Sequence, residues 1–193
     1  SRYENHPDAN RFRFIWEETV LPVYPSAVPI PGRVSSTKFD MSVWSHEKVD
    51  VFVIDTAKTI EHWREQAVVV WPHLQVGSLL CLMDFVKTPQ VELLYAQYVQ
   101  SGDLEPVYID FCASPWVFIV RKQPDWSKTT SFSIRQYDLS GWKAVFDLIY
   151  ADIEYIAKKF NLEDQEALEC VKGHVKKRWG IVTDSVSKGV GWK

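Results

Sequence analysis

Two aspartates stand where a chain can do chemistry. Asp55 closes the apolar run Val49-Asp50-Val51-Phe52-Val53-Ile54, and Asp84 closes the run from Val76 to Met83. Open α/β sheets carry their ligand sites beyond the carboxyl ends of the strands, so acidic groups there can face a crevice. Two carboxylates from neighbouring strands can hold a divalent cation such as Mg2+ by hard oxygen ligation. The cation can then orient and acidify a substrate hydroxyl. Lys58 and His62 follow Asp55 closely and are residue types that can carry a proton. The same aspartates also suit helix caps or turns, and His62 beside Trp63 suits a packed helix surface.

Other chemistries are excluded by what the chain lacks. It has eight glycines in 193 residues. The sole Gly-x-Gly, Gly189-Val190-Gly191, lies at the end of the sequence with no room for a following helix. A self-contained P-loop or dinucleotide-binding enzyme is therefore not expected. Cys81, Cys112 and Cys170 are far apart and odd in number, which predicts thiols in a reducing, cytoplasmic setting. Net charge is −3, and Lys176-Lys177-Arg178 is the one basic cluster, so no nucleic-acid partner is expected. No run of 18 apolar residues predicts a membrane span, and the first residues form no hydrophobic signal region. The missing initial Met suggests a trimmed or processed chain.

The elements that must position the aspartates follow from periodicity. Asp8 or Asn10 is expected to cap a helix to about Val20, ended by Pro22 and Pro25. Ala27–Ser35 reads as an irregular or edge strand because of Pro29 and Pro31. Val49–Asp55 reads as a parallel strand covered on both faces. A helix over Ile60–Leu74, a second buried strand over Val76–Phe85, and a helix over Gln90–Ser101 capped by Gly102 come next. Glu105–Cys112 and Trp116–Lys122 are expected to pair as an antiparallel hairpin. Beyond Pro124, Thr129–Tyr137 reads as a strand or extended arm. Ser140–Phe160 and Glu163–Trp179 carry apolar residues at three-and-four spacing and read as an αα-hairpin.

This β-α-β-α-β-β order resembles the C-terminal half of class I S-adenosylmethionine-dependent methyltransferases, the macrocin O-methyltransferase-like group above all. The likeness rests on Val51-Phe52-Val53-Ile54-Asp55, on Trp71-Pro72-His73-Leu74-Gln75-Val76-Gly77-Ser78, on Leu82-Met83-Asp84-Phe85 and on the hairpin Glu105–Lys122. It spans roughly residues 10–122. Three departures stand out. Lys58 occupies the place of the family's histidine, and Met83 that of one of its paired aspartates. The first strand with its glycine-rich turn, and the acidic residue that grips the cofactor ribose, have no counterpart.

The resemblance implies a Rossmann-like, mostly parallel α/β sheet ending in an antiparallel hairpin. Residues 1–124 would form this region and 125–193 a helical extension. It also implies S-adenosylmethionine as cofactor, Mg2+ held by Asp55 and Asp84, and Lys58 or His62 as base. The activity would be O-methylation of a small molecule or sugar hydroxyl, with missing strands in an upstream part of the parent protein. The alternative is a methyltransferase-like scaffold or binding module without catalysis. The expected partners are a small-molecule substrate and either a second copy or an upstream domain through the C-terminal helices. Without strands one and two, the strand ending at Asp55 keeps a bare edge, which is costly. Thr129–Tyr137 or Gly180–Val186 could pair there.

Overall fold

The computed structural model describes residues 16–23, 25–26, 48–55, 60–85, 90–109, 115–123, 125, 137–161 and 163–189. The chain divides into two compact units, Ser1–Phe39 and Asp40–Lys193. Within the first, Trp16–Val20 forms one π-helical turn, closed by the Val23 amide donating to the Val20 carbonyl at 3.1 Å. The expected cap at Asp8 or Asn10, the strand over Ala27–Ser35 and most of Thr129–Tyr137 lie outside the described residues.

The second unit is α/β. Its described strands are β1 (Val49–Ile54), β2 (Leu74–Leu82), β3 (Leu104–Ile109) and β4 (Trp116–Val120), in the spatial order β1-β2-β4-β3. β1 and β2 are parallel, as the helical crossover between them requires; β4 runs antiparallel to both β2 and β3. Between the parallel strands lies α1 (Ile60–Val70). Pro72 cannot continue that helix, and the chain tightens into a 3-10 turn over Trp71–His73. α2 (Gln90–Leu94) continues as a π-helical turn over Tyr95–Val99. Gly102 then takes φ +71°, as a helix C-cap does, with the Gly102 amide donating to Val99 O and the Asp103 amide to Tyr98 O.

The pleat sends alternate residues to opposite faces, and one face makes the core. Two rows cross it: Ile54, Leu82, Trp116 and Ile109, then Phe52, Leu80, Phe118 and Pro106. All but Phe52 are buried. Large rings from the helices and turns pack on this face. Phe85 stacks on Trp116 with centroids 4.0 Å apart, Tyr95 meets Phe85 at 5.6 Å, and Trp71 bridges Trp63 and Tyr98 at 4.6 and 5.2 Å. Each such pair adds roughly 0.5–1.5 kcal/mol beyond its burial.

The opposite face differs from the sequence expectation. Val51 and Val53 are 57% and 56% exposed, and Leu79, Cys81, Val117 and Ile119 are only half-buried. β1 therefore is not a strand covered on both sides. Among the described residues it is a sheet edge. Its apolar run could be read as two buried faces because apolar residues stand on both, Val49, Val51 and Val53 on one and Phe52 and Ile54 on the other.

Two long helices complete the unit. α3 (Leu139–Lys159) packs against β3 and the Tyr95–Val99 turn, and α4 (Gln165–Ser187) packs against α3. The cap of α3 is Asp138, not Ser140: Asp138 Oδ1 accepts from the Gly141 amide at 2.8 Å and from Ser140 Oγ at 2.7 Å. α4 runs to Ser187, well past Trp179, so Gly180–Val186 is helical and cannot supply an edge strand. Val182, fully buried, explains the extension, because it continues the stripe of Val171 and Val175.

One polar contact ties α4 to α2. Arg178 Nε donates to Glu92 Oε1 at 2.6 Å, and Glu92 is 1% exposed. Burial pushes the Glu92 carboxyl up, and the Arg178 guanidinium pulls it back. Removing one partner strands a charge. Arg178→Ala is therefore expected to lower unfolding free energy by about 3–5 kcal/mol, and the double change Glu92→Leu with Arg178→Met to restore most of it. Urea denaturation followed by tryptophan fluorescence checks both.

Candidate functional site

The carboxyl ends of β1 and β2 lie side by side. Ile54 is in register with Leu82, and the Met83 amide donates to the Ile54 carbonyl at 2.9 Å. Asp55 follows directly and is exposed; Asp84 sits in the turn after β2 and is half-buried. The structure thus brings these two sequence-predicted residues to neighbouring strand ends. His62 lies in the first turns of α1, half-buried, on the helix that leaves the same end of β1. Lys58 lies outside the described residues.

Asp84 adopts φ +55°, the left-handed region that side chains rarely enter. Aspartate tolerates it better than most residues, yet glycine would take it without cost. The next residue explains the geometry. Phe85 must turn back under the sheet to stack on Trp116, which is itself paired with Leu82. Phe85, Trp116, Phe118 and Tyr95 are all fully buried. Trp116 is thus a core aromatic, and the cluster anchors the turn from below; Trp126 lies outside the described residues.

Two carboxylates at neighbouring strand ends are donors of the kind a hard divalent cation takes. No group of three or more His, Cys, Asp or Glu side chains gathers among the described residues, so Asp55 and Asp84 would share the ion with solvent or substrate. Among the described residues no positive-φ glycine stands beside these two carboxylates. Gly77 and Gly102 carry positive φ, but both lie toward the amino ends of β2 and β3, away from Asp55 and Asp84. Gly77 instead serves the irregular start of β2, where the Gln75 amide donates to Ser78 Oγ and that hydroxyl donates to Val49 O.

A second acidic group escaped the sequence reading. Asp152 on α3 lies against the Tyr95 hydroxyl, and its carboxyl is pushed up to about 6. Burial is the main cause; Tyr95 opposes it, and the charge of Glu105 adds to it. Burial also drives the Tyr95 hydroxyl well above its ordinary value. A polar residue between Ala151 and Ile153 in an amphipathic helix reads from sequence as solvated, so the signal was absent. Cys81 is half-buried and burial raises its thiol, in keeping with an inert cysteine. No helix among the described residues is long and apolar enough to cross a membrane.

No protein-family model, no curated protein and no solved structure matches the chain.

The raised Asp152 carboxyl makes stability depend on pH with a definite sign. The folded state holds this proton more tightly than the unfolded state, whose aspartates titrate near roughly pH 4. Stability contributed here is present below about pH 4 and is lost as pH rises to about 6. Asp152→Asn is expected to flatten that slope and to raise the melting temperature at pH 7. Thermal melts of both proteins between pH 4 and 7 measure it.

Proposed function

We propose that this chain carries part of an S-adenosylmethionine-dependent O-methyltransferase-like domain that acts on the hydroxyl of a small molecule or sugar. One observation carries the reading: two adjacent parallel strands end in Asp55 and Asp84, and an antiparallel hairpin closes the sheet beside them. That is the arrangement which the resemblance implies for the acceptor side of such a domain.

In this reading Asp55 and Asp84 hold a divalent cation, which supplies charge to orient and acidify the acceptor hydroxyl. Transfer to a hydroxyl needs its proton removed, and His62 or Lys58 takes that role. The turn strain at Asp84 serves to hold its carboxylate at the strand end. The cofactor cradle would come from residues outside the described ones, in a longer parent protein.

The alternative is a scaffold with the same architecture and no catalysis. The solid aromatic packing of Phe85, Trp116, Phe118 and Tyr95 favours it, because the core behind Asp84 is complete without a ligand.

Calorimetric titration with S-adenosylmethionine separates the two. The proposal expects binding by a longer parent protein and hydroxyl methylation that rises with added Mg2+. No binding by either the chain or the parent assigns the scaffold. Asp84→Gly removes the carboxylate where the backbone prefers glycine. Its stability should stay within about 1 kcal/mol of the wild type, while Mg2+-dependent methylation by the parent is lost. Unchanged methylation would take Asp84 out of the site.

A further inference from the structure

We propose that the α3–α4 hairpin is a proton-operated clasp: protonation of Asp152 closes α3 onto the sheet, and loss of that proton frees the hairpin to open. The inference is independent of the methyltransferase reading.

The hairpin reaches the sheet through one face. α4 packs on α3, and α3 packs on β3 and on the Tyr95–Val99 turn. Supersecondary units of this kind commonly open cooperatively while the rest of a fold stays closed. The buried residues of α3 are all apolar, from Trp142 to Ala157. Contacts of that type hold equally well at any pH, so pH sensitivity must come from the polar groups among them.

One polar pair interrupts the apolar contact. The Tyr95 hydroxyl and Asp152 Oδ2 are both sealed from solvent, and neither completes a hydrogen bond of ordinary geometry. A buried polar atom left in this way is costly, and an ionised one costs far more. Glu105 on β3 adds like charge to Asp152. Arg121 on β4 holds Glu105 in place, Nε to Oε2 at 2.5 Å.

The other charges around α3 are engaged elsewhere. On the α4 side, Lys172 pairs with Glu154 and Glu169, and Arg178 pairs with Glu92. Within α3, Lys143 pairs with Asp147. The positions four before and four after Asp152 are Leu148 and Ile156. These cations serve other carboxylates, so an ionised Asp152 has two ways to relieve its burial. It can take up a proton, or it can reach water as α3 lifts.

The sign follows from comparing the two states. Docked, the Asp152 carboxyl is pushed up to about 6, mainly by burial. Lifted into water, an aspartate titrates near roughly pH 4. Docking is therefore tightest below about pH 4 and weakens as the pH rises to about 6.

Hydrogen–deuterium exchange read by mass spectrometry tests the clasp, with rates corrected for the intrinsic pH dependence of amide exchange. At pH 7.5 the amides of α3 and α4 should exchange faster than those of β2 and β4. Their corrected rate should fall about tenfold at pH 5. Asp152→Asn should exchange slowly at both pH values. Glu105→Gln, which removes the like charge, should shrink the difference between them. Hairpin and sheet amides that exchange at one common rate would overturn the proposal. So would a wild-type hairpin insensitive to pH, or a tenfold difference that survives in Asp152→Asn.

Discussion

The stack of Phe85 on Trp116 is the contact on which the rest of this structure depends. It joins the end of β2 to the start of β4, two segments separated by the whole of α2 and β3. Both rings are fully buried, and Tyr95 and Phe118 close around them. Aromatic rings dominate core energetics because each removes a large apolar area from water. Here they also set direction. Phe85 can reach Trp116 only if the chain reverses sharply after Leu82, and that reversal puts Asp84 into the left-handed region at the strand end. Packing beneath the sheet thus determines where a carboxylate stands above it.

The helices obey the same constraint. They cover the face that holds the rings, and their docking carries two polar groups into the apolar layer. Glu92 is held by Arg178 across 86 positions of sequence. An ion pair at this depth contributes little net energy, because desolvation offsets attraction. What it does is make any other placement of α4 costly, since a shifted helix would leave Glu92 charged and alone. Asp152 against Tyr95 is a milder case of the same kind. Its raised carboxyl shows how little solvation the α3 interface leaves it.

Much of this was legible in the sequence. The β-α-β-α-β-β order, the parallel pair, the hairpin and the αα-hairpin all followed from period and turn residues, and the Gly102 cap fell where it was expected. Asp55 and Asp84 were read as strand-end acids, and their strands are neighbours. Three features were not legible, each for a physical reason. The exposure of Val51 and Val53 depends on what covers the sheet, which local hydrophobicity does not encode. The cap at Asp138 competed with Ser140 two residues on, and both side chains belong to one hydrogen-bonded unit. The Glu92–Arg178 pair joins residues that no periodicity relates.

The result is a one-sided sheet with acidic groups at the ends of its parallel strands. Its function turns on whether Asp55 and Asp84 act together. Titration of the chain with Mn2+, followed by the electron paramagnetic resonance of the free ion, reads this without any cofactor. The account predicts that the wild type removes the free-ion signal in a one-to-one ratio. It predicts that Asp55→Asn and Asp84→Asn each weaken binding about tenfold or more. A wild type that leaves the free-ion signal unchanged would contradict it, and so would single variants that bind as tightly as the parent chain.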